Sequence, residues 1–209
     1  DRTVYYEVLP SNQLELGLWL ESERLLHAKV DEVGIETQRE VVKEEKRLRV
    51  DNQPYGSILE QSMKRAFTEH PYKWVPIGSM EHLNAATEDD YVNFYKTFYV
   101  PNNAVLSIAG DIDMAQTKML IEKYFGAIPK GTRTIPRPSV AEPKMTKEVR
   151  DTVFDNIQLP AVVQTYRIPA IGTPDYYAVS MLSTLLSDGE SSRLYKSLVD
   201  EQQKALFVG

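Results

Sequence analysis

Gln38-Arg39-Glu40-Val41-Val42-Lys43-Glu44-Glu45-Lys46-Arg47-Leu48-Arg49-Val50 is the most informative run in the chain. It lacks Pro and Gly and is rich in good helix formers, so it belongs to a helix expected over 32–50. Asp51-Asn52-Gln53-Pro54 ends that helix. At about 100° per residue with Glu45 as zero, Val41 falls at about −40°, Val42 at about +60° and Leu48 at about −60°. Gln38 falls at about +20°. Glu40, Lys43, Glu44, Lys46 and Arg47 occupy the other side, which is expected to face solvent. Glu45 and Gln38 therefore stand in the middle of an apolar stripe, where a carboxylate is costly without a positive partner. Two partners satisfy that need. Arg49, one turn on, can close an i,i+4 ion pair. Alternatively, the carboxylate can serve as a metal ligand beside two imidazoles, with a fourth position left for water. Helix geometry leaves both open.

Working outward, residues 3–9 are β-branched and aromatic and are expected to form a strand ended by Pro10. Ser11 is a candidate cap for a helix over 12–27 that carries Leu14, Leu18 and Leu25 on one face. After the central helix, another is expected over 55–69, stopped by Pro71. Thr87-Glu88-Asp89-Asp90 has the form of a capping box ahead of a helix over 91–99. A strand over 104–109 and a helix over 114–125 follow, with Gly126 where a left-handed cap is usual. Pro129, Pro136, Pro138 and Pro143 mark a linker, taken as 131–145. Beyond it, strands over 148–154 and 161–168 and helices over 174–186 and 191–200 are expected, with a further strand starting at Leu206. Both sides of the linker follow a β-then-α plan, giving an α+β chain with domains at 1–130 and 146–209.

With 42% apolar and 26% charged residues, the composition is that of a globular domain. The net charge of −6 and the scattered basic residues exclude a phosphate-tracking surface, so nucleic acid is not an expected partner. No apolar run reaches the roughly 20 residues that span a bilayer, so no transmembrane segment is expected. The absence of cysteine excludes disulfides, thiolate zinc sites and a cysteine nucleophile. His27, His70 and His82 have no second histidine at a ligand spacing. No Gly-x-Ser-x-Gly elbow or phosphate loop occurs, and Ser187 to Ser192 has the pattern of a polar turn and helix start. Tyr91, Phe94, Tyr95 and Phe98 have core spacing. The opening Asp1-Arg2-Thr3-Val4 runs directly into strand-like sequence, which is expected of a segment of a longer chain.

Several stretches together resemble the pitrilysin/insulinase (M16) zinc peptidases, which include mitochondrial processing peptidase. The run Gln38 to Glu45, followed by Arg47 to Pro54, resembles the helix that supplies that family's distal zinc ligand. His70-Pro71-Tyr72, Pro76-Ile77-Gly78, Phe94-Tyr95, Pro101-Asn102-Asn103-Ala104 and Gly110-Asp111 resemble the segment after it. Lys123-Tyr124-Phe125-Gly126-Ala127-Ile128-Pro129 resembles the close of the first domain. Tyr166-Arg167-Ile168-Pro169-Ala170, Asp175-Tyr176-Tyr177-Ala178, Leu186-Ser187-Asp188-Gly189 and Ser192-Arg193-Leu194 resemble the opening of the second.

The resemblance implies repeated mixed domains of helices and antiparallel sheet, truncated at both ends. It implies a zinc endopeptidase in which two histidines of a His-x-x-Glu-His motif and a later glutamate hold Zn2+, and the motif glutamate activates water. Aligned on Asp51-Asn52, the distal ligand is Glu45. Gln38 takes a place where many relatives carry glutamate, so a supporting role beside the ligands is weaker there. The His-x-x-Glu-His motif does not occur in these residues and is expected upstream. No catalytic residue is therefore expected in the chain, which alone should be inactive and should not hold zinc tightly. An arginine and a tyrosine that grip substrate in active relatives correspond here to Val199 and Leu206. That departure implies the zinc-bearing subunit of a pair, with a homologous subunit or a second copy as partner and peptide as substrate. A non-catalytic structural or peptide-binding relative is the alternative. Bacterial relatives imply a periplasmic or envelope location.

Overall fold

The computed structural model describes residues 2–209. Helices make up about half of it: α1 (Leu14–Leu26), α2 (Glu32–Lys46), α3 (Ile58–Ala66), α4 (Met80–Ala85), α5 (Glu88–Phe98), α6 (Met114–Phe125), α7 (Pro174–Ser187) and α8 (Arg193–Tyr195). Wider π turns extend α2 through Arg47–Asp51 and α8 through Lys196–Glu201.

The caps explain where the helices start. Asp31 accepts from the Gly34 amide at 2.9 Å to open α2. Thr87 and Asp90 form the reciprocal box ahead of α5, as expected. Asp113 and Thr173 cap α6 and α7 more simply, each accepting from one amide, that of Gln116 and that of Tyr176. Ser11 caps nothing and instead lies in a short 3-10 turn before α1. Gly126 sits at φ −60, so α6 ends without a left-handed residue. Between α2 and α3, a Cβ on Gly56 would stand 2.2 Å from the Val50 carbonyl oxygen, so only glycine allows this tight turn.

The core is small. In α1, Leu18 and Ser22 are buried; in α6, which packs on it, Thr117 and Leu120 are buried. Ser22 and Thr117 donate to carbonyls of their own chain segments, Trp19 at 2.7 Å and Asp113 at 2.6 Å. Both hydroxyls are thereby satisfied where the helices meet. Glu15 braces the same pair by accepting from Lys123 and Tyr124, each at 2.7 Å. Tyr95 ties α5 to α1 by donating to the Arg24 carbonyl at 2.8 Å. The accessible surface is 16726 Å², against roughly 9900 Å² for a compact monomer of this mass. The helices are thus spread, and much apolar surface stays open.

The expected α+β class with antiparallel sheets is not what folds. The structure is helical, and among the described residues no strand or sheet occurs. The segments expected as strands, 3–9, 104–109, 148–154, 161–168 and 206–209, are irregular and unpaired. Their β-branched and aromatic side chains lie in solvent: Val105 is 95% exposed and Phe154 92%. A strand exists only through its ladder, and residue preference alone does not supply a partner. From 126 to 173 the chain has no helix and no paired strand. Among the described residues no helix is long and apolar enough to cross a membrane.

Candidate functional site

The buried side of α2 is polar. Ile35, Arg39 and Lys46 face inward. Arg39 donates through Nη2 to the Ala86 carbonyl at 2.8 Å and through Nε to Glu36, so it joins α2 to the end of α4. Its Nη1 is buried with no partner among the described residues. Lys46 reaches Asp51 at 2.6 Å and Glu60 of α3 at 3.8 Å. With Glu45 as zero these residues cluster at about +80° to +120°.

This corrects the helical wheel. Lys46, expected on the solvent side, is buried, while Val41 and Leu48 are more than half exposed. Charged hydrogen bonds, not the apolar stripe, decide which face of α2 turns inward. Arg39 and Lys46 each find carbonyl or carboxylate acceptors on a neighbouring segment, whereas Val41 and Leu48 find no apolar neighbour to cover them.

Glu45 consequently lies on an open apolar face. Its side chain is 38% exposed, and Arg49 Nη1 stands 2.8 Å from Oε1. No other ion pair to Glu45 occurs among the described residues. Of the two readings, the ion pair is the contact present here. Gln38 is exposed on the same face, seven residues earlier, about 10 Å along the axis. The histidines lie elsewhere. His27 pairs with Glu23 at 2.7 Å, His70 accepts from the Tyr72 amide at 3.1 Å, and His82 is exposed on α4. Val199 lies half-buried in the turn after α8, and Leu206 is exposed.

Zinc chemistry needs three or four protein ligands converging on one point. Among the described residues no three His, Asp or Glu side chains converge to hold a metal ion. Glu45 offers a carboxylate of the right chemistry, accessible and on a rigid helix, but it is one ligand. The described residues alone do not form a catalytic metal centre. Two clefts flank the helices. One, of about 260 Å³, lies between the starts of α1 and α6 and is lined by Glu15, Asp111 and Asp113. The other, of about 190 Å³, lies beside the end of α2, between Val50, Leu59 and Ile77. Glu45 lines neither.

The family description "Peptidase M16 inactive domain" matches residues 85–207. This chain belongs to the peptidase M16 family. An M16 relative named zinc protease PqqE, from Helicobacter pylori, is 32% identical over 207 residues, covering 98% of this chain and 47% of that protein. The beta subunit of mitochondrial-processing peptidase from Lentinula edodes is 22% identical, covering 97% of this chain and 44% of the subunit. The crystal structure of a protease from Helicobacter pylori superposes with a TM-score of 0.78 at 30% identity, over 94% of this chain and 48% of that one. The first half of the periplasmic protease PqqL from Escherichia coli is alike in fold alone, with a TM-score of 0.51 at 21% identity over 63% of this chain and 29% of that one. The M16 chain thus spans about half the length of the curated relatives it matches.

The sequence pattern does not set apart the residues that organise this region. Arg39 and Lys46 were hidden because they have the appearance of solvated charges. Glu142 and Arg167 tie distant segments together; Arg167 lies in the Tyr166–Ala170 stretch that carries the resemblance, whereas Glu142 has no local signal beyond preceding Pro143.

Proposed function

We propose that the protein is a zinc-dependent endopeptidase and that this chain contributes Glu45 as one metal ligand, the imidazole ligands and the general base coming from outside these 209 residues. The observation that carries the reading is the placement of Glu45. It stands on an exposed apolar face of α2, between Val41 and Leu48, with only the 77% exposed Arg49 beside it. Such a carboxylate can leave its partner at small cost. Likeness over nearly the whole chain to a relative named zinc protease favours that use of it. Zinc bound there would polarise a peptide carbonyl and acidify water. Gln38, two turns earlier on the same face, is the residue for a supporting role beside the ligands. The organisation that accompanies this reading is a first domain at 1–130, a linker at 131–145 and a second domain from 146.

Pairing with a homologous M16 subunit, the zinc-bearing role within that pair and a periplasmic setting belong to the same proposal. A non-catalytic role is the second reading, favoured by the Glu45–Arg49 contact and by the match of residues 85–207 to an M16 inactive domain. Hydrolysis of an unfolded peptide by the full-length protein, alone and with its homologous subunit, separates them. Chelator-sensitive cleavage restored by Zn2+ is expected. Absence of metal-dependent cleavage in both preparations would refute the enzyme.

A further inference from the structure

The Pro-rich stretch after α6 has the composition of a flexible linker, yet it is pinned along its length. Arg133 donates to Asn93 Oδ1 of α5 at 3.1 Å, and Arg137 to Asn103 at 2.6 Å. The densest contact is at Glu142. One oxygen accepts from the Thr68 amide at 2.8 Å, the Thr68 hydroxyl at 2.9 Å and Arg167 Nη2 at 2.9 Å. The other accepts from the amides of Glu69 at 2.9 Å and His70 at 2.7 Å. Five donors fill a group with about four lone-pair sites. The Glu142 side chain is only 10% exposed. Arg167 also donates through Nε and Nη1 to the carbonyls of Ala66 and Pro143, and its guanidinium lies over the Phe67 ring. One carboxylate therefore gathers the loop after α3, the end of the Pro-rich stretch and a residue a few positions before α7.

The rest of this seam is also polar. Tyr55 donates to the Leu159 carbonyl at 2.6 Å, and Arg65 pairs with Asp151. Among the described residues Ala66 is the one buried apolar side chain in the seam. Hydrogen bonds rather than apolar burial hold the later part of the chain to the earlier part. Such a seam opens when its central acceptor is lost, because several donors are stranded together. Burial, which pushes the Glu142 carboxyl up, is outweighed by the His70, Thr68 and Glu69 amides and the Thr68 hydroxyl, which bring it down to about 2. The group is thus an anion at any ordinary pH.

We infer that Glu142 is a latch that holds the segment leading from the Pro-rich stretch into α7 against the loop after α3, fixing the orientation of α7 and α8 relative to α1–α6, and that this segment becomes a hinge when the carboxylate is removed. Glu142→Gln keeps the shape, but whichever way the amide turns, its NH2 faces donors. Glu142→Asp keeps the charge. These 209 residues contain no cysteine; with any cysteine elsewhere in the full-length protein replaced by serine, spin labels go at Met119→Cys on α6 and Met181→Cys on α7, both well exposed. Pulsed electron resonance should give one narrow distance for the parent. For Glu142→Gln it should give a distribution at least twice as broad, with the helical circular dichroism unchanged. Glu142→Asp should recover part of the narrowing, and Arg150→Gln, which removes an exposed pair outside the seam, should leave the distance as it was. An unbroadened distance in Glu142→Gln would overturn the latch. So would loss of helical signal in that variant, since Glu142 would then support the fold at large and not one hinge.

Discussion

Replacing Glu45 with Gln separates the two roles open to it, because they differ in size. As a structural ion pair, Glu45–Arg49 is weak. It spans one helical turn, and its side chains are 38% and 77% exposed. After solvent screening such a pair contributes about 0.3–0.5 kcal/mol, roughly a twofold change in the folding equilibrium. As a zinc ligand the same carboxylate matters far more. Removing even a group that supports a ligand costs about 10–100-fold in metal affinity or activity, and removing a ligand should cost at least about 100-fold, or about 2.7 kcal/mol in binding. Chemical denaturation of the full-length protein should therefore place Glu45→Gln within about 0.5 kcal/mol of the parent. Peptide hydrolysis at a fixed low free-zinc concentration should fall at least about 100-fold. Arg49→Ala removes the pair and keeps the ligand, so its hydrolysis should stay within about twofold. If Arg49→Ala lost as much activity as Glu45→Gln, the ion pair would be the functional unit and the ligand assignment would fail.

Other consequences can be checked on simpler material. Leu18 is 3% exposed where α1 meets α6, so Leu18→Ala should lower unfolding stability by about 3 kcal/mol; a loss below about 1 kcal/mol would show that the site collapses or is not core. Because the Glu142 carboxyl is held near 2, below its ordinary 4.5, its contribution is complete above pH 4.5 and fades as pH falls toward 2. Urea midpoints of the parent should drop across that window, and those of Glu142→Gln should drop less; identical slopes would contradict the assignment. The 209-residue chain by itself should bind zinc no tighter than a single carboxylate does, so calorimetry that found one tight stoichiometric zinc would show a complete site among these residues.

The helices were legible because their signals are local. Thr87 and Asp90 announce α5, Pro174 opens α7, and the run from Glu32 carries α2. The absent sheet was not legible. Val105, Phe154 and Val162 satisfy every residue preference for a strand, but pairing depends on a partner distant in sequence, which composition does not encode. The buried face of α2 failed for a related reason. A hydrophobic stripe predicts burial only where something apolar meets it, and here the acceptors offered by Ala86, Asp51 and Glu60 turned Arg39 and Lys46 inward instead. For the candidate site, spacing picked out Glu45 and its two alternative partners, and the structure contains the nearer one. The family could be read because its marks, from His70-Pro71-Tyr72 to Ser192-Arg193-Leu194, are spread over most of the chain and keep their order.

Anomalous diffraction at the zinc edge from crystals of the full-length, zinc-loaded protein locates the metal directly. A Glu45 carboxylate oxygen about 2.0–2.2 Å from the peak, with Arg49 swung away, is the predicted result. A zinc peak whose ligands all come from elsewhere, with Glu45 still against the Arg49 guanidinium, would contradict it.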